Sequence, residues 1–281
     1  MELYFSNAFH ISTNSLSDQS ERLEIKHPDY TQRIDPKQMR RMSDLVKMGI
    51  FSALSMLDDS NVFDGPLICG TGLGCIQDTF SFMKNLYERD EQMLSPTHFI
   101  QSTHNTVAGT AGILLRDHNY NITWSQRFHT FYFCLEDAWL RLHDNQSSKV
   151  LILLVDEISP EINEIVKNME CLNPSDVWTG GCASFIVSDQ RIHESDRELK
   201  DFKIFPTNQL TNLNFPPDIP IYFMNTEKKY VREGWTDLSN QIGKNFVMDA
   251  IAMAYCIEKE SNGFILIGGD HRHCTLFQLV K

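Results

Sequence analysis

The sequence has no excess of positive charge: 25 Lys and Arg stand against 37 Asp and Glu, for a net charge of −12. A surface that neutralises a phosphate backbone needs the opposite balance, which excludes nucleic acid and anionic membranes as main partners. Long apolar runs are lacking too. The longest purely aliphatic stretch, Val150 to Val155, falls far short of a bilayer span, so no membrane insertion is expected. Met1 to Ser15 carries Glu2 and no basic run ahead of an apolar core, so no secretory leader is expected. None of the seven cysteines (Cys69, Cys75, Cys134, Cys171, Cys182, Cys256, Cys274) belongs to a C-x-x-C pair. An odd, widely spaced set in apolar stretches reads as buried thiols of a soluble protein in a reducing, cytoplasmic compartment.

Several chemistries lack their residues. Gly70-x-Gly72 has Cys75 where a dinucleotide fingerprint needs its third glycine, and no acidic residue ends a second strand at the right distance. Gly243-Lys244-Asn245 has neither the upstream glycine nor the Ser/Thr of a P-loop, and no G-x-S-x-G occurs. No cofactor is expected.

What is present is a globular composition, 42% hydrophobic and 22% charged over 281 residues, in which helical and strand-like periodicities alternate. The expected class is α/β. Asp35-Pro36 is a cap followed by proline at the first helical position, and Met39, Met42, Val46, Ile50, Ala53 and Leu57 predict a helix of about five turns. Pro66–Cys69 reads as a buried strand running into Gly70–Gly74 and a helix over Ile76–Leu86. Further helices are expected over His104–Leu115, Thr130–Leu142, Pro160–Met169 and Asn245–Glu258. Further strands are expected at Tyr120–Ser125, Lys149–Asp156, Cys182–Ser188, Ile219–Met224, Gly263–Gly268 and Thr275–Val280. Lys149–Asp156 is apolar on nearly every residue, as a strand covered on both faces requires. The polar stretch Asp189–Asp218, with Pro206, Pro216 and Pro217, reads as an excursion or internal boundary.

His271, His273 and Cys274 have plausible metal spacing, because two histidines two apart on a strand share a face. No third ligand is evident and a turn entering a strand is commonly polar, so no metal is expected. Asp156 and Glu157, adjacent at a strand end, point to opposite faces, which favours helix capping or a structural ion pair over joint acid/base chemistry.

Cys69-Gly70-Thr71-Gly72-Leu73-Gly74-Cys75, Ser95-Pro96-Thr97-His98-Phe99-Ile100-Gln101-Ser102-Thr103-His104-Asn105-Thr106-Val107-Ala108-Gly109, Tyr120-Asn121-Ile122-Thr123 and the strand Val150–Glu157 together resemble the amino-terminal half of β-ketoacyl synthases. The resemblance spans about residues 35–190. It is nearest to the short synthase-like proteins of bacterial aryl polyene, flexirubin and dialkylresorcinol pigment clusters, which act as chain-length-factor-like partners of a true synthase. The resemblance implies a thiolase-like layered α-β-α-β-α sandwich, with an N-terminal half over residues 1–190 and a shortened C-terminal half over 191–281. Tyr120–Ser125 would be the strand that pairs across the dimer.

Condensation needs a thiolate at a helix start and two histidines. In the window of the synthase cysteine this chain has Gln126, Arg127, Phe128 and His129. At the positions that resemble the two histidine sites it has Asn225 and Lys244. No catalytic residue is expected. Arg127 is accounted for by an ion pair or helix-start packing, or by Gln126 or Arg127 filling the vacated pocket. The resemblance makes Asn105, Thr106, Thr110, Ile113, Ile122 and Trp124 tunnel or interface residues, with bulky side chains setting product length by excluding volume. Core packing accounts for the same apolar residues.

The resulting expectation is a non-catalytic subunit that pairs with a cysteine-bearing ketosynthase in polyketide or fatty-acid-type synthesis. The alternatives are an active condensing enzyme or acyltransferase using Cys134 or Cys75 with His104 or His129, and a module that docks acyl carrier protein. Carrier proteins are usually acidic, and a net charge of −12 repels them unless a patch such as Lys228-Lys229 intervenes. Carrier contact is therefore expected to be indirect, through the partner.

Overall fold

The computed structural model describes residues 3–13, 25–58, 62–94, 96–144, 147–159, 163–164, 178–260 and 262–281. In chain order its regular elements are β1 (Leu3–Ile11), α1 (Pro36–Met39), α2 (Asp44–Ser55), β2 (Leu67–Gly70), α3 (Ile76–Glu88), α4 (Pro96–Gln101), α5 (Thr106–Leu115), β3 (Asn121–Trp124), α6 (Thr130–His143), β4 (Lys149–Asp156) and β5 (Gly181–Ser188). There follow β6 (Arg197–Pro206), β7 (Ile221–Phe223), β8 (Thr236–Asp237), α7 (Ser239–Ile242), α8 (Met248–Lys259), β9 (Gly263–Gly269) and β10 (His273–Val280).

The ten strands hydrogen-bond in the order β3-β2-β4-β5-β1-β6-β10-β9-β7-β8. That order is one five-strand pattern used twice. β2 lies parallel to β3 and β4, β4 antiparallel to β5, and β5 antiparallel to β1. In the second set β7 lies parallel to β8 and β9, β9 antiparallel to β10, and β10 antiparallel to β6. The first strands of the two sets join antiparallel, Leu3 opposite Leu199 and Phe5 opposite Arg197.

Burial follows the pleat. On β4, Val150, Ile152 and Leu154 face a core shared with α6 and α8, while Leu151, Leu153 and Val155 face a second core under α2 and α5. β9 divides likewise, Phe264 and Leu266 inward and Ile265 and Ile267 outward. Thus α6 and α8 lie between the two five-strand sets. Phe131 of α6 meets Phe185 of β5 at 5.4 Å and Phe277 of β10 at 5.1 Å between ring centroids. On the outer face of the second set, Ile265, Ile267 and Leu276 pack with Leu210, Phe215 and Trp235, from 3-10 turns and loops.

Three expectations need correction. The helix predicted from Met39 to Leu57 is two helices: Ser43 takes an extended conformation that breaks the first, and Asp44 occupies the first turn of the second; Met39 and Met42 still pack on the core, which kept the periodicity. The polar stretch Asp189–Asp218 is no excursion, since it contains β6, a central strand paired with β10 along most of its length, although the change from the first five-strand set to the second does fall within it, between β5 and β6. Only Leu199 and Phe205 of β6 are buried, so its alternation is weak. Leu3–Ile11, read only for a leader, is β1. The predicted helix Pro160–Met169 lies outside the described residues except for Asn163 and Glu164, and Cys171 lies wholly outside them. The six described cysteines are all buried and free. Among the described residues no helix is long and apolar enough to cross a membrane.

Candidate functional site

Loops from both halves converge at the ends of β2, β3, β7 and β9. After β3 the chain turns sharply into α6, with Arg127 in the left-handed region at φ 51°. Thr130 locks this turn: its Oγ1 accepts from the Gln126 N–H (3.0 Å) and donates to the Arg127 carbonyl (2.7 Å). Gln126 and Arg127 face solvent. Phe128 turns inward against Phe246 (4.8 Å) and Trp178 (6.0 Å).

The glycine turn after β2 is held by Asp156. Its carboxylate accepts from Thr71 Oγ1 (2.7 Å), Gly72 N (2.9 Å) and Leu73 N (3.1 Å). Complete burial still pushes its pKa up to about 6, against these hydrogen bonds. Glu157 accepts from Gln77 N at 3.2 Å in the first turn of α3, and burial raises it to about 7. Each carboxylate thus serves its own stretch of backbone. Gly72 is required because a Cβ there would run into Phe246.

Asn225 follows β7 at φ 51° and donates through Nδ2 to the Gly269 carbonyl at 2.8 Å. Lys244 pairs through its backbone with Trp178, and its carbonyl accepts from Thr179 N. Asn245 caps the lead-in to α8, its Oδ1 accepting from Val247 N at 3.0 Å. The Gln126–His129 stretch reaches the other two loops through neighbours: His129 lies beside Asp270, next to the Gly269 that Asn225 bonds, and Phe128 packs on Trp178 and Phe246, which flank Lys244 in space and sequence.

The described thiols are elsewhere. Cys134 lies inside α6, its Sγ 3.8 Å from the Cys69 carbonyl and against Gly70, and burial pushes its pKa well above the ordinary thiol value. Burial, with Glu157 and Asp78 nearby, raises Cys75 to about 12. Neither is an activated nucleophile. His104 packs its ring against Gly74.

The six candidate tunnel or interface residues fall into two groups. Thr106, Thr110 and Ile113 form an outward stripe on α5, opposite buried Val107, Ala108, Ala111 and Leu115. Ile113 is 79% exposed, Asn105 is the exposed residue before the helix, and Thr106 Oγ1 fastens α4 through the Ile100 carbonyl (3.2 Å). Ile122 and Trp124 instead face α6. Trp124 stacks on Phe133 and donates to Asp137 Oδ2 at 2.9 Å. β3 ends the strand order, so one of its edges is unpaired among the described residues.

His271, His273 and Cys274, whose spacing alone was compatible with a metal, do not come together. His271 sits in the turn before β10, and Cys274 points into the outer core beside Thr207. His273 instead meets His129 and Asp270, with ligand-type atoms all within 4.8 Å. Burial opposes the Asp270 charge, but contacts from His129 and from the backbone of His273 and Arg272 outweigh it and hold the carboxyl well below the usual range. Behind it Asp249 is buried, accepts from Thr275 Oγ1 at 2.7 Å and is raised to about 6 by that burial. Sequence reasoning missed Asp249 and Asp270; a Gly-Gly-Asp turn between two strands was the available signal.

Residues 15–184 match the model of the family described as "Beta-ketoacyl synthase, N-terminal domain". No curated protein matches the chain. Among solved structures, the ishigamide ketosynthase/chain length factor superposes with a TM-score of 0.76 at 11% identity, over 91% of this chain and 85% of that one. The AntDE:AntF assembly, a type II PKS acyl-carrier protein in complex with its ketosynthase, gives 0.77 at 13% identity over 99% of both chains. The complex of the ketosynthase ApeO with its chain length factor ApeC from Xenorhabdus doucetiae gives 0.64 at 14% identity over 100% of both. At such identities the likeness is one of fold, the thiolase-like α/β sandwich.

Proposed function

The chain belongs to the β-ketoacyl synthase family, and from that premise we propose that it is a non-catalytic, chain-length-factor-type subunit that pairs with a cysteine-bearing ketosynthase. One observation carries this reading: the β3–α6 turn, where condensation would need an exposed thiolate, holds Gln126, Arg127, Phe128 and His129, and Cys134, the nearest cysteine in sequence, is buried against Gly70. By the resemblance, Asn225 and Lys244 would take the places of the two histidines. The solved structures of similar fold include ketosynthase and chain length factor assemblies, which is consistent with this role.

The halves 1–190 and 191–281 act here as one unit, each contributing a five-strand set. The unpaired edge of β3 and the outward stripe Thr106, Thr110 and Ile113 are the proposed contact with the ketosynthase. Side-chain volume on that stripe limits the acyl chain in the partner's tunnel. Carrier protein docks on the partner, since Lys229 is engaged by Glu227 at 2.6 Å and the chain carries a net charge of −12. The proposed setting is aryl polyene, flexirubin or related pigment synthesis in a reducing cytoplasm, which suits buried, unpaired thiols.

Intact-mass measurement after incubation with acyl-thioester and malonyl carrier protein tests the reading. No adduct on the chain alone, with condensation appearing beside a cysteine-bearing synthase, is expected. A single-cysteine acyl adduct, lost on replacing that cysteine by alanine, overturns it.

A further inference from the structure

The start of α6 and the turn between β9 and β10 bring together three side chains for which the proposed function has no use. Among the described residues, His129, Asp270 and His273 are the group of three His, Cys, Asp or Glu whose ligand-type atoms approach within 4.8 Å of one another. We propose that they bind one divalent transition-metal ion of the zinc type.

Asp270 is oriented for it. Oδ1 accepts from the backbone N–H groups of Arg272 (2.7 Å) and His273 (2.8 Å), which fixes the carboxylate and leaves Oδ2 directed toward His129. Such outer hydrogen bonds are what hold a metal-ligating carboxylate in place.

His129 supplies the second argument. Both of its ring nitrogens are buried and neither has a hydrogen-bond partner. Nε2 lies 3.5 Å from Asp270 Oδ2, beyond the roughly 2.7–2.9 Å of a charge-assisted hydrogen bond. A simple histidine–aspartate pair would close that gap, since leaving a buried nitrogen unmet is unfavourable. An ion lying between the two groups needs the space to stay open.

His273 completes the set from the solvent side, its ring 6.2 Å from that of His129 and at 81° to it. Tetrahedral zinc, with bonds of about 2.0–2.1 Å, holds its ligand atoms about 3.4 Å apart. The exposed His273 reaches that spacing by a small side-chain rotation. Two imidazoles and one carboxylate suit zinc over calcium or magnesium, which prefer all-oxygen shells. Three protein ligands leave a fourth position open to water or a small anion. The buried Asp249 adds acidic surroundings behind His129. None of this depends on the chain being non-catalytic.

The test is calorimetric titration of the chelator-treated full chain with zinc, and with cobalt(II) followed by its visible absorption. The expected result is one ion per chain with a tetrahedral cobalt spectrum. His273→Ala, which removes an exposed side chain and leaves the core intact, weakens binding at least tenfold. Asp270→Asn does the same, and His271→Ala leaves it unchanged. Absence of saturable binding, or binding that His273→Ala does not weaken, overturns the assignment.

Discussion

Thr71 Oγ1 donates to Asp156 Oδ1 at 2.7 Å, joining the glycine turn to the end of β4 across 85 residues of chain. Asp156 is wholly buried and its pKa is lifted to about 6, above its unfolded value near 3.8. A carboxyl raised in the folded state binds its proton more tightly there. Its contribution to stability is therefore complete below about pH 4 and is lost as pH rises through 6. Glu157, raised to about 7 by burial first and then by Asp78, Asp156 and Asp44 nearby, acts with the same sign. Unfolding free energies from urea titrations between pH 4 and pH 8 should fall across this window, by on the order of 2–3 kcal/mol from Asp156. Asp156→Asn should flatten much of the slope. An unchanged slope in that variant contradicts the account.

Removing the carbonyl-type acceptor altogether has a different consequence. Asp156→Ala leaves the Thr71 hydroxyl and the Gly72 and Leu73 N–H groups without their partner. The expected loss is about 2–4 kcal/mol, since each unmet buried donor costs about 1–3 kcal/mol and the turn relaxes in part. Chemical denaturation near pH 7 reads it.

The sealed thiols make a kinetic prediction. In a Cys171→Ser background, which leaves the described cysteines alone, native protein should take up no alkylating label on the timescale that labels a free thiol. Burial keeps these thiols protonated and out of reach. Labelling should appear at the rate of unfolding as urea is added. Rapid native modification of Cys134 would show that the helix interior opens.

Phe131 holds the two five-strand sets together through Phe185 and Phe277. Phe131→Ala should cost about 3–5 kcal/mol, read as a lowered urea midpoint.

Ile113 should behave in the opposite way. It is 79% exposed on α5, so Ile113→Asp should change the stability of the isolated chain by less than about 0.5 kcal/mol while abolishing co-purification with a cysteine-bearing ketosynthase. Thr110→Trp should keep the pair and shorten its product, read by mass spectrometry. Normal pairing of the Asp variant would remove α5 from the interface.

The sequence by itself determined elements whose burial is complete or whose ends carry their own signals. Lys149–Asp156 is apolar at nearly every position, and no solvent-facing alternative exists for such a strand. The glycine turn and the helix after it follow from local backbone needs, and the missing thiol at Gln126–His129 is a matter of residue identity alone. Tertiary structure decided what depends on partners distant in the chain. β6 is a strand because β10 offers it a ladder, although its own pattern is mostly polar. The twofold use of one strand order, and the meeting of His129 with Asp270 and His273, arise only when the halves close on α6 and α8. Hydrogen-bond ladders and side-chain clusters between distant segments leave no periodic trace in either segment, because each side chain answers to the neighbour it acquires on folding.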